Sequence, residues 1–219
     1  MRTTTLDESS IDGNIAVVRN IYVDQLKFGL NDLDNHAVPC INDQSTNARV
    51  CSAQTLPSND TCSINHLDSI QLGPGCFHIE LNLLWAILNT HRGNLSDAGS
   101  LSYYMSLLDV SRLGSEHPDY QTLLSFCWLV LNGNLLHCWL TESGFNSVEE
   151  FARSKPSSQK LLELAAQILK KHASQTGLQA CNETNTGNFD GIKRNAILLN
   201  WDLLIFFELI SAISSGDFG

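Results

Sequence analysis

The residue types and spacings that could do chemistry gather first around Cys40-Ile41-Asn42-Asp43-Gln44. The apolar run from Ala37 to Ile41 is too short for a globular helix and reads as an extended strand, with Pro39 confined to its start or edge. Asp43 follows that strand on rigid backbone, where a carboxylate can be aimed at a metal ion or a hydroxyl. A turn former or helix cap is the commoner use of an Asp at a strand end. Gly73-Pro74-Gly75 then gives a sharp reversal that can bring His78 back towards Asp43, so the two are expected to form a polar site at the start of the next helix. Its bland form is a hydrogen bond that orients the imidazole, and its sharp form is a remnant Mg2+ site that needs further acids.

Other sets are weaker. Cys76-Phe77-His78, with Cys51 and Cys62 upstream, has zinc-ligand chemistry but not the close pairing of a structural zinc site, so buried thiols and a metal-free His are expected. Cys127, His137 and Cys138 read the same way. Glu116-His117-Pro118-Asp119 places titratable groups between two helices, where acids are also expected from the helix dipole alone. Gly-x-Ser-x-Gly, P-loop, Gly-x-Gly-x-x-Gly and His-Glu-x-x-His patterns are absent, which demotes the chemistries they serve.

Composition narrows the partners. With 13 basic against 23 acidic residues the net charge is -10, which argues against a surface built to grip phosphate backbones. The best basic strip, Arg153, Lys155, Lys160, Lys170 and Lys171, reads as the solvated face of a helix, so a protein partner is favoured over nucleic acid. Seven cysteines without a disulfide framework, and an N-terminus lacking an apolar core, predict an intracellular protein, nuclear or cytoplasmic, with reduced thiols. Tyr120 to Thr141 carries no charged residue and is long enough to span a bilayer. Asn132-Gly133-Asn134 and His137 interrupt it, which favours a buried helix and no membrane.

The elements that must position these residues read as α+β and predominantly α-helical, with short strands in the N-terminal third and a helical core from about residue 76 onward. Periodicity predicts a helix from Ile15 to Phe28, a loop with at most one helical turn over 52–69, and a buried helix from Cys76 to His91. Ser100 can cap the next helix, with Leu101, Tyr104, Leu107, Leu108 and Leu113 facing inward. Pro118 suits the first turn of a long apolar helix that Gly133 can split and Gly144 ends. Ser147 and Glu150 have capping-box spacing, and Leu161, Leu164, Ala165, Ile168 and Leu169 form one helical face. A polar loop over 174–192 precedes a last helix from Arg194 to Ile213.

Several segments together are similar to one fungal family, domain of unknown function 6589. They are Asp7-Glu8-Ser9-Ser10-Ile11-Asp12-Gly13-Asn14, the stretch from Pro39 to Arg49, Gln71 to His78, Thr90-His91-Arg92-Gly93, Gly99-Ser100-Leu101, Arg112-Leu113-Gly114, Glu116 to Tyr120 and Ser215 to Gly219. The resemblance spans nearly the whole chain and brings no established activity with it. Related chains continue past Gly216-Asp217-Phe218-Gly219, which implies one incomplete domain over 1–219. Its mixed part would be 1–72, its helical part 73–219, and a missing C-terminal segment would pack on apolar surface left exposed. More distantly, Asp43-Gln44-x-Thr46 and Gly75-x-Phe77-His78-x-x-x-Asn82 resemble segments of mobile-element proteins with ribonuclease-H-like transposase cores. That resemblance implies Asp43 and Asp7 as catalytic, Mg2+-holding acids, with Glu116 or Asp119 as a guessed third, and His78, Gln44 and Asn82 as binding residues. Cys76 stands where such proteins would carry an acid. The first functional expectation is therefore a non-catalytic, truncated helical module that binds a protein partner, and the alternative is a metal-dependent nuclease or transposase core acting on DNA phosphodiesters.

Overall fold

The computed structural model describes residues 3–29, 32–33, 36–55, 63–183 and 191–217. The fold is α+β and predominantly helical, with one small parallel sheet near the N-terminal third. Backbone contacts divide the chain into two units, residues 1–79 and 80–219. Cys62 and the terminal Phe218 and Gly219 lie outside the described residues.

In the first unit Ser10 caps helix α1 (Ile11–Arg19) by accepting a hydrogen bond from the Gly13 N-H. A Cβ at Gly13 would stand 1.8 Å from the Asp7 carbonyl oxygen, so the incoming chain folds back onto the helix only across a glycine. A wide π turn over Asn20–Gln25 continues α1, so the helical stretch runs over 11–25 rather than from Ile15 to Phe28.

Strands β1 (Val38–Asn42) and β2 (Ile70–Pro74) pair in parallel, with Val38 opposite Ile70 and Asn42 opposite Pro74. Gly73 and Pro74, predicted as a turn, are the last residues of β2. The missing N-H of Pro74 is harmless there because pairing ends with it. Between the strands run α2 (Gln44–Thr55), which carries helix into the first residues of the segment 52–69 expected as loop, and α3 (Ser63–His66), a single helical turn of the kind expected there. Gln54 ties α2 to β2 by donating to the carbonyls of Leu67 (2.9 Å) and Ile70 (3.1 Å). Val50, Ala53, Leu67 and Ile70 are buried together, with Ile15, Val18, Val38, Cys40 and Leu72 packed around them. Strand alternation turns Val38 and Cys40 towards this core and leaves Ile41 exposed.

Helix α4 (Cys76–His91) crosses the division between the units. The second unit adds α5 (Leu101–Leu107), α6 (Tyr120–Ser143), α7 (Val148–Arg153), α8 (Ser158–His172), α9 (Gln175–Glu183) and α10 (Gly191–Ser215). Caps fix several boundaries. Ser100 accepts from the Tyr103 N-H, Ser147 from the Glu150 N-H, and Gly144 closes α6 with φ 74°. Asp119 rather than Pro118 begins α6, accepting from the Thr122 N-H at 2.9 Å. Gly133 does not split α6, which runs unbroken for 24 residues because its neighbours keep the helical ladder.

Leu84, Leu88, Leu101, Leu113, Leu123, Leu199, Leu203 and Phe206 are wholly buried in the main cluster of this unit. A second cluster joins Cys138, Phe151, Leu164 and Ile168. Leu107 and Leu108, expected to face inward, are exposed. The helix stops at Leu107, and Asp109, with φ 54°, turns the chain away. The polar segment after Ala173 also folds, as α9, by packing against α8 and α10. By length and composition α6 and α10 are each apolar enough to cross a membrane, yet both supply central residues of the main cluster.

Candidate functional site

Both parallel strands of the first unit run into helices, and the residues at these junctions are tied together. Asp43 N-caps α2, its Oδ1 accepting from the Thr46 N-H at 2.6 Å and its carbonyl accepting from the Asn47 N-H at 3.0 Å. Asn47 Nδ2 donates to the Gly73 carbonyl at 3.0 Å, and Asn42 Nδ2 donates to Asn47 Oδ1 at 3.3 Å. The Gly75 N-H donates to the Asn42 carbonyl at 2.8 Å, which closes the junction after β2 onto the end of β1. A Cβ at Gly75 would press on that carbonyl at 3.2 Å and stand 3.6 Å from the His78 ring.

The Thr46 hydrogen bonds hold the Asp43 carboxyl below its ordinary range, and electrostatic interaction with His78 and Arg49 pushes it the same way. Asp43 and His78 are thus electrostatic neighbours. Among the described residues they share no direct hydrogen bond. Asp7 is similarly occupied: Oδ1 accepts from the Ser9 N-H at 2.9 Å and Oδ2 from the Ser9 hydroxyl at 2.8 Å. Those bonds, with Arg49 adding to them, also lower its carboxyl.

Arg49 is the residue that sequence reasoning passed over. It lies within electrostatic reach of both acids and donates to the Glu8 carbonyl at 3.3 Å. The structure therefore sets Arg49 within electrostatic reach of both Asp43 and Asp7, and His78 within reach of Asp43. Gln44 is exposed in the first turn of α2, and Asn82 is exposed on α4 in the second unit. Cys76 is half-buried, Cys51 is exposed, and Asp119 is committed to its cap. Among the described residues no group of three or more His, Cys, Asp or Glu side chains gathers to hold a metal ion. The donors at hand do not fit a two-metal centre, since both acids serve backbone N-H groups and face a guanidinium instead of a third carboxylate.

The second unit holds a different polar arrangement. The Tyr104 hydroxyl donates to Asn134 Oδ1 at 3.0 Å, Asn134 Nδ2 to Asn200 Oδ1 at 2.9 Å, and Asn200 Nδ2 to the His172 carbonyl at 3.3 Å. Asn200 is buried, and the ladder satisfies it. His172 Nε2 in turn lies 2.8 Å from Oε1 of Glu142, whose other oxygen accepts from Lys171 Nζ at 2.6 Å and from Gln167.

A family model described as a family of unknown function, DUF6589, matches residues 1–219. The chain belongs to that family. No curated protein and no solved structure matches it. In this DUF6589 chain Asp7 to Asn14 builds the cap of α1, with Asn14 Nδ2 buried on the carbonyls of Glu8 and Ser10. Its Asp-Gln-x-Thr segment and the start of its Gly-x-Phe-His segment fall just past the C-terminal ends of the parallel strands. Sites on parallel sheets gather there.

Proposed function

We propose that the chain is a non-catalytic helical module of fungal mobile-element ancestry that binds a protein partner by receiving an amphipathic helix along α6. One observation carries this reading: α6 presents Trp128, Leu129 and Leu136 to solvent around Gly133, where an added Cβ would meet nothing within 4 Å. Leu129 and Leu136 stand about one turn on either side of that glycine, so the face has apolar walls and a hollow that fits a side chain of a second helix. Trp128 packs edge-on against Phe207 with ring centroids 4.7 Å apart, which presents a rigid aromatic anchor of the kind that dominates binding surfaces. Asn132 and His137 on the same stretch favour a protein surface over lipid.

A photo-crosslinking residue at Leu136, followed by identification of the attached peptide, tests the proposal. The captured segment is expected to read as an amphipathic helix. A synthetic copy should bind the full chain with helicity gain and lose about tenfold in affinity against Trp128→Ala, a loss typical of an interface anchor. Crosslinks only to a second copy of the chain, or flotation with phosphatidylcholine vesicles that Trp128→Ala abolishes, would overturn it.

The alternative, a metal-dependent nuclease core, draws on the placement of Asp43 and His78 at the strand ends. It would require Mg2+ to bind the full chain with an affinity that falls in Asp43→Asn. Calorimetry without a saturable Mg2+ response removes it.

A further inference from the structure

We infer that the chain pairs with a second copy of itself along the outer edge of β1, in an antiparallel seam centred on Ile41. That edge belongs to the first unit and goes beyond the α6 face proposed above. The Val38 N-H donates to the Ser69 carbonyl at 2.7 Å where β1 and β2 begin to pair, and the Asn42 carbonyl accepts from the Gly75 N-H at 2.8 Å where they part. Backbone groups of successive strand residues point to opposite sides, so Val38, Cys40 and Asn42 address β2 while Pro39 and Ile41 address the other side. Within a trans peptide the N-H and C=O also oppose each other, so the Asp43 N-H points away from β2 as well.

The outer edge of β1 therefore presents the Pro39 carbonyl, both backbone groups of Ile41 and the Asp43 N-H. Among the described residues none of these groups has a hydrogen-bond partner. Pro39, Ile41 and Asp43 are all exposed, Ile41 to 66%. The far edge of β2 is closed by contrast, since the Ile70 N-H donates to the Leu67 carbonyl and the Ile70 carbonyl accepts from Gln54. Helix α2 turns from Asp43 towards β2, where Asn47 and Gln54 reach the Gly73 and Ile70 carbonyls, so it does not run along the edge of β1. An edge with free backbone groups is a template for another strand.

The order of these groups selects the occupant. Pro39 offers an acceptor without a donor, Ile41 offers both, and Asp43 offers a donor while its carbonyl is already taken by the Asn47 N-H at 3.0 Å. A two-fold axis between two Ile41 residues sets Pro39 of each copy opposite Asp43 of the other. Each Ile41 then donates to and accepts from its counterpart, and each Pro39 carbonyl accepts from an Asp43 N-H. An unrelated antiparallel strand would instead set a carbonyl against the proline nitrogen and an N-H against the occupied Asp43 carbonyl, which leaves polar groups poorly paired. A proline on an edge ordinarily discourages pairing. Here it discourages strands other than a second β1. The two Ile41 side chains come side by side on one face, with Cα atoms about 5.5 Å apart, and cover apolar surface that each copy exposes alone.

NMR diffusion and amide hydrogen exchange on the full chain test the seam, in about 0.3 M salt so that the net charge of -10 on each copy is screened. So short an edge supports a weak dimer, with a dissociation constant of about 0.1–1 mM. Exchange at the Ile41 and Asp43 amides should slow severalfold as concentration rises through that range, while the Cys40 amide, which faces β2, is protected throughout. Ile41→Pro removes an N-H that serves no bond within the chain, so it should keep the wild-type circular dichroism and stay monomeric. Ile41→Val keeps the backbone groups and should dimerise within about threefold of the wild type. A chain that stays monomeric at about 2 mM, a dimer that survives Ile41→Pro, or a dimer without added protection at Ile41 and Asp43 would overturn the inference. So would an alternating Thr-Val heptapeptide that slows those two amides in a chain that does not self-associate.

Discussion

His91 Nε2 at the end of α4 stands 2.7 Å from Asp202 Oδ2 on α10. The imidazole is only 8% exposed and the carboxylate 44%, so the nitrogen depends on this one partner while the acid keeps access to water. Asp202→Ala should cost about 1–3 kcal/mol, the range for leaving a buried polar group unpaired. Asp202→Asn should cost less, because an amide oxygen still accepts the bond. Urea titrations check this by a lower midpoint at unchanged slope, and equal costs for the two variants would show that charge rather than the hydrogen bond holds the helices.

Glu142 makes stability depend on acid. Burial raises its carboxyl, but the hydrogen bonds from Lys171, His172 and Gln167 outweigh burial and leave it below the ordinary range. A carboxyl lowered in the folded state stabilises fully above its unfolded value and loses that contribution as pH falls through the folded one. Melting temperature should therefore fall on acidification more steeply in the wild type than in Glu142→Gln. Parallel acid limbs for the two proteins would contradict this.

Gly133→Ala should stabilise the free chain by about 0.5–1 kcal/mol, since a helical glycine carries a backbone entropy cost and the new methyl meets no neighbour. The same methyl would occupy the hollow on α6. Thermal melts should therefore show a gain in stability alongside a loss of affinity for the crosslinked peptide.

The cap at Asp43 separates a structural role from a chemical one. Asp43→Ala should lower the melting temperature by freeing the Thr46 N-H, while Asp43→Ser and Asp43→Asn, which can also accept that bond, should restore most of the loss. A variant series ordered by charge instead of capping ability would count against this assignment.

What the sequence discloses depends on how locally each feature is caused. Ser100, Ser147 and Gly144 act within one helical turn, and the apolar block of α4 is bounded by Gly75 and Arg92, so those boundaries are readable. Helix α2 is not, because Val50 and Ala53 are its only buried side chains and packing against α1 and β2 decides its form. Helix α9 has the same cause, a polar segment held by α8 and α10. Asp43 and His78 could be placed from strand punctuation alone. Arg49 could not, because it comes near Asp43 only once α2 has wound a full turn and more. Leu107 and Leu108 misled because helical spacing was extended past a residue, Asp109, that takes a left-handed conformation.

The parallel pairing of β1 and β2 sets an order of events as the chain is made. Val38 must wait for Ile70, and Asn42 for Pro74, a separation of 32 positions in each case (70 − 38 and 74 − 42). Until then the backbone groups of β1 have no partner strand, whereas the caps of α1 and α2 close within a few residues. Joining distant segments carries a loop-closure cost that local helices avoid. Packing of α2 against β2 shortens the effective loop, so the helix that Asp43 caps and that carries Asn47 and Arg49 also acts as the guide that delivers the second strand.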